Sequence, residues 1–297
     1  MSAVPLVNPF PRYASRASQW QLRTRSLQLP PRCLLMGIVN VTPDSFSDGG
    51  KFFHPDEAVS HALRLVEEGA DLLDIGGEST RPYSDPVSLK EELDRVVPVI
   101  SALVEKTDIP ISIDTSKAAV ARECLRCGAE IINDVTGLSG DPEMVPLAAE
   151  SGAGVCVMHM QGIPKTMQDS PSYNNVVEDV LRYLRQRRDD LVAAGVAPQR
   201  LCLDPGIGFG KTQQHNLSLL CEIGRGHELG CPLLVGPSKK GFIAKVLGSE
   251  TADRTAATVG VALALAARGV QVIRLHEIQV VRQALLLYEA AGGLPTG

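Results

Sequence analysis

Polar residues recur at one kind of place in this chain, the ends of short apolar runs. The run at 34–39 leads into Asn40, the run at 72–75 carries Asp74 and leads into the glycine-rich stretch 76–82, and the run at 111–113 ends in Asp114. Residues 131–132 are followed by Asn133 and Asp134, 155–157 by Met158, His159 and Met160, and 201–203 by Asp204. Residues 233–235 lead to Ser238, Lys239 and Lys240, and 272–273 to Arg274 and His276. Carboxylates and carboxamides without a Ser or Cys nucleophile motif suit recognition of a flat, hydrogen-bonding heterocycle. An Asp accepts two parallel N–H bonds from an amidine-like edge. Arg274, His276, Lys239 and Lys240 supply charge for an anion such as phosphate. Asn40 offers a neutral oxygen to a hard cation such as Mg2+, which keeps most of its waters and rides on phosphates. Any one of these residues, Asp114 for instance, could merely cap a following helix. The whole series is better explained by a polar pocket.

Such a pocket needs a scaffold that gathers strand ends. Helical patterning is expected over 55–68 with Gly69 as its C-cap, over 88–105 with Ser88 and Glu91 at capping-box spacing, and over 117–127, 142–151 and 176–194. Two helical stretches follow through Arg268, and 279–291 closes the chain. Eight strand–helix units predict an α/β fold, a (β/α)8 TIM barrel whose strand tips share one rim. Strands apolar on both faces suit a parallel sheet. An open doubly wound sheet is the alternative, but no topological switch can be located. The expected organisation is an N-terminal arm over residues 1–32 and one catalytic barrel domain over 33–297. The apolar stretch at 259–267 is expected to pack on the barrel or on a second subunit.

The bulk properties exclude several classes. The chain has 297 residues, 44% hydrophobic and 21% charged, enough to bury a core. A net charge of −5 argues against wrapping nucleic acid. No apolar run approaches the roughly 20 residues of a membrane helix. Seven cysteines, an odd number, suit reduced thiols in a cytosol. Arg12, Arg16, Arg23, Arg25 and Arg32 precede the first acidic residue, Asp44. That bias faintly resembles an organellar transit peptide, but five prolines break any amphipathic helix, so the segment is taken as an arm leading into the first strand.

Two motifs are near misses. The stretch 204–212, Asp-Pro-Gly-Ile-Gly-Phe-Gly-Lys-Thr, has Pro205 where a Walker loop needs its first glycine and Lys211 where a dinucleotide fingerprint needs its third. It is expected instead to bring backbone close to a ligand, with Phe209 as a stacking face. Cys124 and Cys127 form a lone Cys-x-x-Cys on an expected helix and are taken as structural thiols. His159, between two methionines, is expected to be a packed histidine.

Residues 40–50, Asn-Val-Thr-Pro-Asp-Ser-Phe-Ser-Asp-Gly-Gly, resemble the first signature of the dihydropteroate synthase family, and 76–82, Gly-Gly-Glu-Ser-Thr-Arg-Pro, resemble the second. The strand-end motifs follow in the family's order. The resemblance implies a folate-pathway transferase joining 6-hydroxymethyl-7,8-dihydropterin diphosphate to 4-aminobenzoate. It implies pterin binding by Asp114, Asn133, Met158, Asp204, Phe209, Lys240 and Arg274. It implies an aminobenzoate pocket of Phe46, Thr80, Pro82 and Ser238, and diphosphate binding by Asn40, Arg274 and His276. It further implies Mg2+ at Asn40, catalytic roles for Asp48, Arg81, Arg274 and His276, and a cytoplasmic homodimer built through the late helices. A pterin-binding methyltransferase barrel and an inactive pterin-binding paralogue are the rivals. Phe46, Asp48, Arg81 and His276 speak against the first, and retention of the whole set against the second. Tyr83, where the family commonly has a small residue, and Lys239, where many members have Arg, are departures.

Overall fold

The computed structural model describes residues 10–42, 55–80 and 84–295. Strands β1 (Gln19–Gln21) and β2 (Ser26–Gln28) form an antiparallel hairpin. The main sheet contains β3 (Leu34–Asn40), β4 (Leu72–Gly76), β5 (Ile111–Asp114), β6 (Ile131–Asp134), β7 (Gly154–Met158), β8 (Leu201–Asp204), β9 (Leu234–Val235) and β10 (Val272–Leu275). It is parallel throughout, in the order β8-β7-β6-β5-β4-β3-β10-β9. A parallel bridge between Leu203 and Leu233 joins its two ends, so the expected barrel forms.

Between the strands run α1 (Pro55–Glu67), α2 (Leu89–Val104), α3 (Ala118–Arg126), α4 (Met144–Ser151), α5 (Val176–Ala193), α6 (Gln213–Glu222), α7 (Gly241–Leu247), α8 (Thr255–Ala266) and α9 (Ile278–Ala290). Gly69, at φ +100°, ends the first helical stretch, and Ser88 and Glu91 make the reciprocal capping box that starts α2. Helix α6 and the 3-10 stretch Ile223–Leu229 have no counterpart in the sequence reading. The reason is local. The α6 N-cap, Thr212, looked like the tail of a glycine-rich loop, and Gln213, Gln214 and Asn216 blur any apolar stripe.

Strand residues alternate between the two sides of the barrel wall, as a period of two requires. Leu35, Leu73, Ile113, Ile132, Val155, Leu203 and Ile273 face the helices and join the large outer core. Their neighbours Met36, Leu72, Ile131, Cys156, Cys202, Leu234 and Val272 fill the lower bore. Two residues further up the same inward rows stand Asp74, Asn133, Met158, Asp204 and Arg274. One alternation therefore builds an apolar floor and a polar mouth.

The arm closes the other end. Trp20 and Leu22 of the hairpin belong to the lower-bore cluster, and Trp20 Nε1 donates to Arg200 O at 2.8 Å. Arg12, Arg16 and Arg23 donate to Ala267 O, Gly269 O and Leu125 O, carbonyls at or just past helix C-termini. Those are the ends where helices present unpaired carbonyls and partial negative charge. Arg25 pairs with the buried Glu130 at 2.7 Å, and Arg32 with Glu289 at 2.8 Å. The basic bias of this segment thus matches the helix ends beneath the barrel.

Candidate active site

At the C-terminal mouth, Asp114 ends β5 and pairs in register with Asn133 on β6, and Met158 on β7 pairs with Asp204 on β8. Arg274 reaches across from β10. Its Nε donates to Asp74 Oδ2 at 2.5 Å and its Nη2 to Asp114 Oδ2 at 2.7 Å. Asn133 Nδ2 donates to the same Asp74 oxygen at 3.0 Å. Asp114 is therefore no helix cap. The first turn of α3 is served instead by Asp141, whose Oδ2 accepts the Ala118 N–H at 2.8 Å.

On the opposite wall, Gly206 N–H donates to Asp204 Oδ1 at 2.7 Å. Lys240 Nζ lies 4.0 Å from the centroid of the Phe209 ring, within cation–π range. Phe209 packs with Met158, Val135 and Met167 in a small apolar cluster. Ser238 Oγ lies 3.0 Å from His276 Nδ1 and donates to Glu277 Oε2 at 3.3 Å, while Glu277 Oε1 holds Lys239 Nζ at 2.6 Å. Asn40 is half-buried at the tip of β3, beside Gly76 in register.

The electrostatics follow from confinement. Burial pushes the Asp114 carboxyl up to about 7, with Arg274 opposing and Asp74 adding to the rise. Burial pushes Asp204 up to about 6, opposed by its bond from Gly206. Burial pulls the Lys240 ammonium down to about 8, with Arg274 adding to the fall and Asp204 opposing. Burial also works against the charge of Arg274, but Asp74 and Asp114 hold its guanidinium more firmly protonated than usual. Perturbed groups of both signs facing one cleft are what a recognition site for a polar ring needs.

Asp114, Asn133, Met158, Asp204, Phe209, Lys240 and Arg274 thus gather at one mouth, with Ser238, His276 and Asn40 on its rim. Thr80 follows the half-buried Glu78 and Ser79. Phe46, Asp48, Arg81, Pro82 and Tyr83 lie outside the described residues. The second motif is anchored at its start, where Lys117 binds Glu78 and also the buried Glu92 of α2 at 2.6 Å. Asp74 was not assigned to the site from sequence, yet it is fully buried and orients both Arg274 and Asn133. A lone carboxylate inside an apolar strand was the available signal. Asp134, by contrast, turns away and binds Thr136 and Leu138. Among the described residues, no group of three or more His, Cys, Asp or Glu could hold a metal.

A family model described as pterin binding enzyme matches residues 36–276. The dihydropteroate synthase of Escherichia coli K12 is 45% identical over 256 residues, which cover 86% of this chain and 90% of that protein. The chain belongs to the dihydropteroate synthase family. A solved structure of the Xanthomonas albilineans family member with 4-aminobenzoic acid superposes with a TM-score of 0.87 at 44% identity, covering 94% of this chain and 100% of that one. The same organism's enzyme in complex with 7,8-dihydropteroate gives a TM-score of 0.84 at 42% identity, covering 93% and 100%.

Proposed function

We propose that this chain condenses 6-hydroxymethyl-7,8-dihydropterin diphosphate with 4-aminobenzoate, releasing 7,8-dihydropteroate and diphosphate. The observation that carries the reading is the convergence of Asp114, Asn133, Asp204, Lys240 and Arg274 around the Phe209–Met158 cluster. It supplies acceptors and donors for the edge of a bicyclic ring and an apolar surface for its face. The family members solved with aminobenzoic acid and with dihydropteroate support the same substrates.

In this mechanism the exocyclic C–O bond breaks and its electron pair leaves with the diphosphate. The pterin ring stabilises the methylene cation, and the arylamine nitrogen forms the new C–N bond and then loses its proton. An arylamine is already unprotonated at neutral pH, so positioning and electrostatics carry the rate. Asp114, Asn133, Asp204 and Lys240 hold the ring. Arg274, His276 and Asn40 receive the departing diphosphate. By the family resemblance Asp48 would stabilise the cation and Arg81 would be a further catalytic residue, Phe46, Thr80 and Pro82 would belong to the aminobenzoate pocket, and Ser238 would meet its carboxylate. Mg2+ adds charge neutralisation to the diphosphate when bound. A cation that keeps its waters and rides on phosphates needs only one neutral protein oxygen, and Asn40 fits that role without a carboxylate cluster.

The test is direct. With both substrates and Mg2+, diphosphate release should depend on aminobenzoate, and release no greater than in its absence would refute the assignment. Asp114→Asn should raise the KM for the pterin diphosphate by about tenfold or more, since it removes a charged acceptor and leaves Arg274 with one charged partner fewer.

The homodimer belongs to the same proposal. Helix α8 is apolar on every side, and beside it Val246 and Leu247 on α7 are 54% and 45% exposed. A second copy of the chain would cover this face. Light scattering should give twice the chain mass, and Val246→Glu should halve it. A cytoplasmic location fits seven free thiols and, among the described residues, no helix long and apolar enough to cross a membrane.

A further inference from the structure

The glycine-rich stretch that imitates a nucleotide loop has another use. Gly206, Gly208 and Gly210 take φ of +67°, +85° and +60°. The residues between them diverge, Ile207 into the outer core and Phe209 into the cluster with Met158. The backbone lies hard against β7 and the segment that follows it. A Cβ on Gly206 would sit 1.9 Å from His159 O, and one on Gly210 would sit 2.4 Å from Gln161 O.

Lys211, in the place of a Walker lysine, turns inward rather than toward a phosphate. It is 3% exposed. Its Nζ lies 2.9 Å from Phe209 O, 3.0 Å from His159 Nδ1 and 3.3 Å from His159 O. Burial pulls Lys211 down to about 7, with Asp204 opposing; the ammonium form has three protons for these three acceptors, and the neutral amine keeps two. The arrangement requires the Nε2–H tautomer of His159, with Nδ1 as acceptor. Burial supports that state, pulling the His159 pKa down to about 3 so that the ring is neutral. The ring is itself held edge-on by Tyr183, with centroids 4.8 Å apart.

An apolar side chain would fill this space without the desolvation of a charge. What the ammonium adds is direction: it ties the carbonyl of Phe209 to the residue that follows Met158. We infer that Lys211 is a positioning residue for the pterin substrate, pinning Phe209 to His159 so that the apolar wall of the ring slot is preformed. The inference rests on the reading of this mouth as a pterin slot. Lys211 touches no reacting atom and acts through Phe209 and Met158. The preformed wall lowers the ordering cost of binding and leaves the bond-breaking step to other residues.

The experiment measures equilibrium binding of the pterin diphosphate, both KM values, kcat and the melting temperature. It uses the full chain as wild type, Lys211→Met, His159→Leu, His159→Asn and Asp204→Asn. Lys211→Met and His159→Leu should each weaken pterin diphosphate binding and raise its KM by about tenfold, leaving kcat and the aminobenzoate KM within about twofold. His159→Asn keeps an acceptor near the Nδ1 position and should restore most of the affinity. If Lys211→Met does not fold, the His159→Leu and His159→Asn pair decides alone. Pterin affinity within twofold of wild type in folded Lys211→Met or His159→Leu overturns the inference, as does an equal loss in both KM values or failure of His159→Asn to recover. Asp204→Asn separates the levels. Loss there with none in Lys211→Met removes the pin and leaves the slot, whereas no loss in either removes the slot and the pin together.

Discussion

At the scale of single residues, the mouth of the barrel is held in a state that suits its ligand more than its own stability. Asp204 shows the tension most simply. Its folded pKa of about 6 lies above the unfolded 3.8 because burial disfavours the charge. A raised carboxyl weighs nothing against folding below the unfolded value, and its cost grows as pH climbs from 3.8 through about 6. Asp204→Asn keeps an oxygen for the Gly206 N–H while removing the charge. It should therefore gain about 2–3 kcal/mol over wild type in denaturant unfolding at pH 8, at 1.36 kcal/mol per pKa unit, and nothing near pH 4. The same variant should lose pterin binding. A variant less stable than wild type at pH 8 would contradict this account. Most of these residues were legible in the sequence, because a polar side chain closing an apolar strand is conspicuous. Asp74 stood in the same series, but its role was not legible, because it depends on Arg274, 200 positions away.

At the scale of elements, loops that look flexible by composition are fixed by packing. Gly206→Ala would place a methyl group inside contact distance of the His159 carbonyl, at a positive φ of +67°. It should displace Phe209 and abolish pterin binding, readable by titration of the purified variant. Gly230 has a similar φ of +71° but nothing within 4 Å of its would-be Cβ. Gly230→Ala should cost only the left-handed penalty of about 1–2 kcal/mol and leave activity unchanged. Composition treats the two glycines alike, and only their neighbours separate them. Element boundaries show the same division. The Ser88–Glu91 capping box was readable because it is local, whereas α6 was missed because only Asn216 and Leu219 of its ten residues are buried.

For the whole molecule, the arm and the site occupy opposite ends of one bore. Trp20 is fully buried among Leu22, Met36, Leu72, Cys202 and Val272, the layer below the polar one. Trp20→Ala should lower unfolding stability by about 3–5 kcal/mol, while both KM values stay at wild-type levels in whatever protein remains folded. A matching rise in the KM for the pterin diphosphate would show that floor and mouth are coupled. The arm's arginines serve the same end. Arg16, itself buried, donates to Gly269 O at 2.8 Å and to Pro30 O at 2.9 Å, joining the arm to the carbonyl-rich underside. Their resemblance to a targeting segment came from composition, which does not register where a positive charge finds its partner.

The sequence by itself determined the strands, their burial on both faces and the polar residue that closes most of them. These features repeat with a short period, and each is set by contacts within a few residues. They were enough for the barrel and for the end at which its chemistry lies, while the family was read from the signatures at 40–50 and 76–82. Only the tertiary structure decided the pairings that make the site work: Arg274 with Asp74 and Asp114 across 200 and 160 positions, Lys211 with His159, and Trp20 beneath the floor. Such pairings arise when the sheet closes on itself. Closure brings together residues whose local surroundings carry no trace of one another.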